Sequence, residues 1–283
     1  MSEGRSRPRA DNAIEGRLAA LYDVFVDWPG RLSRELPGLR RRLDAVGAER
    51  VLDVGCGTGQ HVAALREAGY DAHGADASGE MLDRAAERVG DGEAGFWLWR
   101  LGEGPPAALV DAAPFDAITC MGNVWPQVTA EPEVGRAAEA VRSLLRPGGV
   151  LLAGLKAVAV RRDRGERFMP LLKRTHEGRA IFFVRFIDFD VPPGPGGEDV
   201  CDFHMTIVRG SAAEPASAEL HEARRLRVWS PGGLRRAFTD AGFDPVAVSG
   251  KLADPSADPT GEDVFVIAHR PADAPAVGGG APR

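Results

Sequence analysis

Residues 31–46 place Leu32, Leu36, Leu39, Leu43 and Val46 three or four positions apart, the spacing that lines one face of a helix. Residues 13–25 read as a shorter helix before it. The period then changes. A short apolar run at 51–54 is stopped by glycines, and 61–68 returns to helical spacing. Residues 71–75 form a weak strand, 79–89 a helix, and 96–99 and 115–120 two further strands. A helix at 132–145 ends in the turn Arg146-Pro147-Gly148-Gly149, and 150–155 is another buried strand. Strands and helices alternating at this length predict an α/β fold, a parallel sheet with helices on both faces.

After residue 156 the alternation stops. Residues 180–190, 200–210 and 223–229 read as three successive strands, an antiparallel cap inserted into the α/β unit. The earlier pattern resumes with a helix at 231–241 and strands at 245–249 and 264–269. The expected organisation is therefore one domain over 11–270. It comprises a helical lid (11–46), a ligand-binding core (47–156), the cap (157–229) and a final helix with two strands (230–270). Residues 1–10 and the Pro/Ala/Gly stretch 271–283 are expected to be disordered tails.

Composition narrows the function classes. The chain has 283 residues, 44% hydrophobic and 27% charged, which suits one packed, soluble domain. A formal net charge of −6 disfavours general attraction to nucleic acid or an anionic bilayer. Three scattered cysteines, Cys56, Cys120 and Cys201, supply neither a disulfide framework nor a zinc site, and no metal is expected. No apolar run is long enough to span a membrane, and no apolar segment follows Arg5, Arg7 and Arg9, so a cytoplasmic protein is expected. The 35 basic residues are 32 Arg and only Lys156, Lys173 and Lys251; Asn12 and Asn123 are the only asparagines, Tyr22 and Tyr70 the only tyrosines. A scarce residue inside a motif therefore draws notice.

The sharpest motif is Val51-Leu52-Asp53-Val54-Gly55-Cys56-Gly57-Thr58-Gly59, at a strand-to-helix junction where glycines allow positive φ and close approach of a ligand. A dinucleotide fingerprint would need glycine at position 60, which is Gln60, and no Gly-Lys-Ser/Thr follows for a phosphate loop. Twenty-three residues beyond Asp53, after the next strand, stands Asp76. An acid at the end of that strand is placed to accept both ribose hydroxyls of an adenosine ligand.

With VLDVGCGTG, the second acid in GADASGEML, the strand FDAITC and the turn LRPGGVLL in this order, the chain resembles class I S-adenosylmethionine-dependent methyltransferases. The resemblance implies a Rossmann-like seven-stranded sheet of order 3-2-1-4-5-7-6, with the last strand antiparallel. It also implies S-adenosyl-L-methionine as cofactor and S-adenosyl-L-homocysteine as product. Cys120-Met121-Gly122-Asn123 stands where nucleic-acid amino-methylases carry Asn/Asp-Pro-Pro-Tyr, and no carboxylate cluster suits metal-dependent catechol methylation. That turn, the stretch ending Trp28-Pro29-Gly30-Arg31 and Trp99 after the third strand resemble the glycine/sarcosine N-methyltransferase branch and related small-amine enzymes.

By that resemblance the cofactor is held by Tyr22, Trp28, Arg31, Asp53, Gly55, Cys56, Gly57, Gly59, Asp76, Ala77, Met81, Leu98, Trp99, Cys120, Met121 and Gly122. Arg31 would bind its carboxylate and Asn123 would line the acceptor pocket. Lys156 stands where the branch has an arginine that holds the substrate carboxylate; it keeps the charge and loses the two-pronged fork. Leu98 stands where the family usually has a polar residue. Tyr22, Trp28, Asn123, Trp125 and Trp229 are candidates for a cage around the reacting centre. His204 is a candidate base for an alcohol or phenol, so the catalytic set is Tyr22, Asn123, Lys156 and His204.

In-line displacement at a sulfonium-bound carbon draws its rate mainly from positioning. The expected partner is a small-molecule acceptor, most readily an amine, with no nucleic acid and no membrane; monomer and homo-oligomer stay open. The alternatives are O- or C-methylation of a natural product, or a non-catalytic protein that binds the cofactor or its product.

Overall fold

A computed structural model describes residues 19, 21–90, 94–211 and 214–273. The expected tail 1–10, the tail beyond 273 and the first part of the helix expected at 13–25 lie outside the described residues; within that helix, 21–25 are helical. The α/β unit follows in the order α1 (Trp28–Ala45), β1 (Arg50–Val54), α2 (Gln60–Glu67), β2 (Asp71–Asp76), α3 (Gly79–Val89), β3 (Phe96–Leu98), α4 (Ala107–Ala112), β4 (Phe115–Met121), a 3₁₀ turn (Trp125–Gln127), α5 (Glu131–Leu144) and β5 (Leu145–Lys156). A short α6 (Val158–Asp163) leads into the cap strands β6 (Leu172–His176), β7 (Arg179–Asp188), β8 (Val200–Ser211) and β9 (Glu214–Arg227). The chain closes with α7 (Pro231–Asp240), β10 (Val246–Ser249) and β11 (Asp263–His269).

The main sheet has seven strands in the order β3-β2-β1-β4-β5-β11-β10. The strands from β3 to β5 are parallel, and β11 runs antiparallel to both β5 and β10. This is the sheet order implied by the sequence motifs. Each face carries its own apolar layer. Leu109, Val134, Val141, Leu234 and Phe238 from α4, α5 and α7 cover one face; Leu39 and Leu43 of α1 with Val62 and Leu65 of α2 cover the other. Local chemistry sets the helix starts: the Asp27 carboxylate accepts the Gly30 N–H at 3.2 Å to cap α1, and Ser78 Oγ caps α3 through Met81 N–H.

Two differences from the sequence expectation have physical causes. The Arg146–Gly149 segment was expected as a turn before a strand, but β5 begins at Leu145 and absorbs it as a bulge, shifting the register between Phe115 and Ala117. Arg146 holds it there, donating to Asp116 Oδ1 at 2.6 Å and to the Val46 carbonyl at 2.8 Å. The cap, expected with three strands, has four, in the order β6-β7-β8-β9 and antiparallel throughout. Strand β6, Leu-Lys-Arg-Thr-His, has too little apolar content to register as a strand. β9 starts well before residue 223 because its polar first half pairs along β8.

The cap's inner face lies against the N-terminal segment. Ile181, Phe183, Met205, Ile207 and Leu220 pack with Leu21, and with Val24 and Phe25 beside them; the rings of Phe25 and Phe183 are 5.3 Å apart. Residues 21–25 thus form a wedge between the cap and the loop that follows β1.

Candidate active site

The glycine loop leaves the C-terminal edge of the parallel strands between β1 and α2, where ligands of open α/β sheets bind. Gly55, Gly57 and Gly59 all have positive φ, at 72°, 55° and 76°. A Cβ on Gly55 would stand 2.2 Å from a Val124 methyl, and one on Gly59 2.8 Å from the Ala85 Cβ. These two glycines are required by packing as well as by φ. At Gly57 a Cβ would meet only the Tyr22 ring, at 3.6 Å.

Asp76, at the end of β2, is tied to this loop. One carboxylate oxygen accepts the Gly57 N–H at 2.8 Å and the other the Ser78 N–H at 2.9 Å. Burial pushes its pKa up, against those two backbone bonds and the charge of Arg224. An ionised carboxylate offers about four acceptor positions, so a pair of vicinal hydroxyls fits the remaining two. Asp53 is different: it is 2% exposed, accepts the Thr119 hydroxyl at 2.6 Å and is raised by burial against His61, Thr119 and Arg31. Its place is beneath the loop.

From α1, Arg31 reaches the same region. Its Nε bonds both Glu35 oxygens, at 3.1 and 3.2 Å, while its terminal nitrogens abut Gly122, one lying 2.7 Å from where a Cβ would be. Burial opposes the Arg31 charge, but Glu35 and Tyr22 outweigh it and raise the pKa. Glu35 also contacts His61 Nε2 at 2.8 Å. Burial opposes the Glu35 charge; His61 and Arg31 prevail and lower its pKa. The guanidinium rests over Trp28, 5.0 Å from the ring centre, and Tyr22 meets Trp28 edge-on at 6.0 Å. Burial pushes the Tyr22 phenol up, with Arg31 acting against it.

Asp23 holds the wedge to the loop, and no sequence signal marked it. Its carboxylate accepts from Thr58 Oγ1 at 2.7 Å, Trp28 Nε1 at 2.8 Å and an Arg88 terminal nitrogen at 2.5 Å. Arg88 Nε also donates to the Thr58 carbonyl at 2.8 Å. An acid preceding an aromatic helix start by five residues carries no motif; only the fold brings Thr58 and Arg88 to it.

The structure brings some predicted residues to this centre and sends others elsewhere. Leu98 is 61% exposed and pairs in register with Asp76, so it borders the site, as do the exposed Ala77 and half-buried Met81. Trp99 is 3% exposed and turns into the core, its indole N–H donating to the Glu103 carbonyl at 3.1 Å. Cys56, Cys120 and Met121 are buried, and burial raises both thiols. Asn123 has φ 65° and its Oδ1 accepts the Lys156 backbone N–H at 2.7 Å, which ties the β4 turn to the end of β5. Trp125 packs in the core on Phe238 at 4.6 Å, and Trp229 lies under the Arg227 guanidinium at 4.2 Å.

The other two catalytic candidates have partners of their own. Lys156 Nζ, expected to meet an anion, is paired with Asp263 Oδ1 at 2.6 Å at the exposed edge between β5 and β11. His204, expected as a base, faces away from the loop. It alternates with the inward Met205, stacks on Phe186 at 4.5 Å and 5°, and lies 3.4 Å from His221.

Comparison with known proteins agrees with this architecture. Residues 51–149 match a family model described as a methyltransferase domain. Residues 51–149 thus form a methyltransferase domain. Over 141 residues it is 33% identical to the glycine/sarcosine N-methyltransferase of Halorhodospira halochloris, an alignment covering 46% of this chain and 48% of that one. The chain spans about half the length of the curated relatives it matches. By structure, the methyltransferase domain and its cap align with an S-adenosylmethionine-dependent methyltransferase from Clostridium acetobutylicum (TM-score 0.68, 13% identity, 93% of this chain and 100% of that one). They also align with CalS10, an amino pentose methyltransferase from Micromonospora echinaspora (TM-score 0.62, 22% identity, 95% and 100%). Among the described residues, no group of three or more His, Cys, Asp or Glu is placed to hold a metal, and no helix is long and apolar enough to cross a membrane.

Proposed function

We propose that the chain transfers a methyl group from S-adenosyl-L-methionine to a small-molecule acceptor, with an amine nitrogen as the acceptor atom. The observation that carries this reading is the clasp of Asp76 on Gly57, which joins the acid at the end of β2 to a loop of positive-φ glycines. Asp76 would take the ribose hydroxyls, the bare backbone at Gly57 would let the amino-acid portion lie close, and the terminal nitrogens of Arg31 beside Gly122 would face its carboxylate. Leu98, Ala77 and Met81 would border the adenine. The bound cofactor supplies an electrophilic methyl group on a sulfonium, so the protein needs to hold the acceptor in line and keep water out. Tyr22 and the wedge that carries it would close the site from above, and Asn123, fixed at the β4 turn, would face the acceptor side.

The amine preference is supported by the glycine/sarcosine N-methyltransferase relatives and by the architecture shared with an amino pentose methyltransferase. The test is calorimetry with S-adenosyl-L-homocysteine, followed by a methyl-transfer assay on amines, alcohols and phenols. Product binding with transfer to amines is expected. Transfer to oxygen acceptors alone would move the reading to O-methylation, and binding with no transfer to any acceptor would leave a cofactor-binding protein.

A further inference from the structure

The inner face of the cap is apolar at both ends. One end packs on the N-terminal wedge through Ile181, Phe183, Ile207 and Leu220; the other, through Ile187, Cys201 and Leu226, packs on Val158 and Val228. Between them runs a transverse row charged at its two ends, with the buried Met205 at its centre. Arg185 stands opposite Met205, and Met205 opposite Glu222, and directly paired residues share a face. Glu222 is ion-paired with Arg224, whose charge acts on both Tyr22 and Asp76. That end of the row therefore faces the glycine loop.

At the other end stands Arg185, which among the described residues has no acid of its own. Arg185 donates a terminal N–H to the Pro170 carbonyl at 3.0 Å and lies over the Phe25 ring at 5.3 Å. Its Nε is buried without a hydrogen-bond partner, and among the described residues no carboxylate stands within ion-pairing distance. Arg174 shares the inner face, opposite Ile181, and among the described residues donates only to the Lys173 carbonyl. Arg161 approaches from α6 with its fork shared between Glu166 and Glu262 at 3.6 and 3.3 Å. Burial and the charges of Arg161 and Arg174 hold Arg185 below the usual arginine pKa. A half-buried guanidinium without a counter-ion of its own is costly to maintain, and an arginine fork is shaped for a planar or tetrahedral oxyanion.

We propose that Arg185, flanked by Arg174 and Arg161, is a recognition site for an oxyanion group of the methyl acceptor, two strand spacings or about 10 Å across the cap from the Glu222 end. The acceptor is then an elongated molecule, presenting its nitrogen near Tyr22 and Glu222 and a phosphate or carboxylate to Arg185. The word acceptor rests on the methyltransferase reading; the anion site does not.

Calorimetry on the full chain with inorganic pyrophosphate, and separately with malonate, tests the site without the acceptor in hand. At least one probe should bind, and the tighter one identifies the group as phosphate-like or carboxylate-like. Arg185→Gln should weaken that probe at least tenfold and Arg174→Gln by a smaller factor, with S-adenosyl-L-homocysteine affinity unchanged within twofold. If Arg185→Gln does not fold, Arg185→Lys, which keeps the charge and loses the fork, should still weaken the probe. Failure of both probes to bind the unaltered chain, or equal binding by the folded Arg185 variant, overturns the proposal. A chain that binds either probe but not S-adenosyl-L-homocysteine defeats the methyltransferase reading and leaves the anion site standing; one that binds S-adenosyl-L-homocysteine and neither probe defeats the site alone.

Discussion

Asp76 is the residue on which the proposed cofactor site turns. Removing it in Asp76→Ala deletes the acceptor for two hydroxyl groups and the tie to Gly57. Bonds to a charged acceptor contribute about 1.5–3 kcal/mol each, so a loss of roughly 3 kcal/mol, on the order of a hundredfold in S-adenosyl-L-homocysteine affinity, is expected by calorimetry. The same carboxylate sets a pH dependence. Burial raises its pKa, so the ionised form that accepts hydroxyl protons is lost, as pH falls, at a higher pH than for an ordinary aspartate. Affinity should drop through that raised pKa, and Asp76→Asn should flatten the profile at a lower plateau. Asp76 was legible from spacing alone, because a strand end after a glycine loop is a position that geometry fixes. Lys156 was not: its scarcity suggested a role, but nothing local reveals that β11 brings Asp263 to within 2.6 Å of it.

At the scale of elements, the glycine loop and the N-terminal wedge act together. Gly55→Ala would force a Cβ at φ 72° into Val124; a loss of about 2–4 kcal/mol is expected from strain and overpacking, read as a lower urea midpoint. Asp23→Ala should act differently. It strips Thr58, Trp28 and Arg88 of a shared partner and frees the wedge, so cofactor dissociation should accelerate about tenfold in stopped-flow measurements while the main sheet keeps its stability. Most of the parallel strands could be read from the chain because they are short apolar runs bounded by glycine or a turn; β2, Asp-Ala-His-Gly-Ala-Asp, is the weak one. The inner face of the cap could not. β6 has too little apolar content and the first half of β9 is too polar to register as strands, although both pair along the cap ladder. Arg185 lies in a stretch read as a strand, but only the pairing of β7 with β8 and β9 shows which face it shares with Glu222.

For the whole molecule, the cap is joined to the sheet through few polar ties, of which Arg227 is the densest. Its guanidinium stacks on Trp229 at 4.2 Å, donates to the Thr129 carbonyl at 3.4 Å and pairs with Glu131. Arg227→Ala should lower stability by about 1–2 kcal/mol, seen as a lower melting temperature. If the cap docks independently, that loss should fall on a separate early transition rather than on the main one.

The wedge of residues 21–25 also bears on the order of events. One side of it, Leu21, Val24 and Phe25, packs into the cap beside Arg185, and the other, Tyr22 and Asp23, presses on Gly57 and Thr58. A single short segment is thus a wall of both compartments. Whatever settles it against the glycine loop also completes the chamber under the cap, so the two ligands should bind cooperatively, and thermodynamic linkage requires the gain to be the same in either order. Calorimetry would then show S-adenosyl-L-homocysteine and the acceptor each tightening the binding of the other by the same factor.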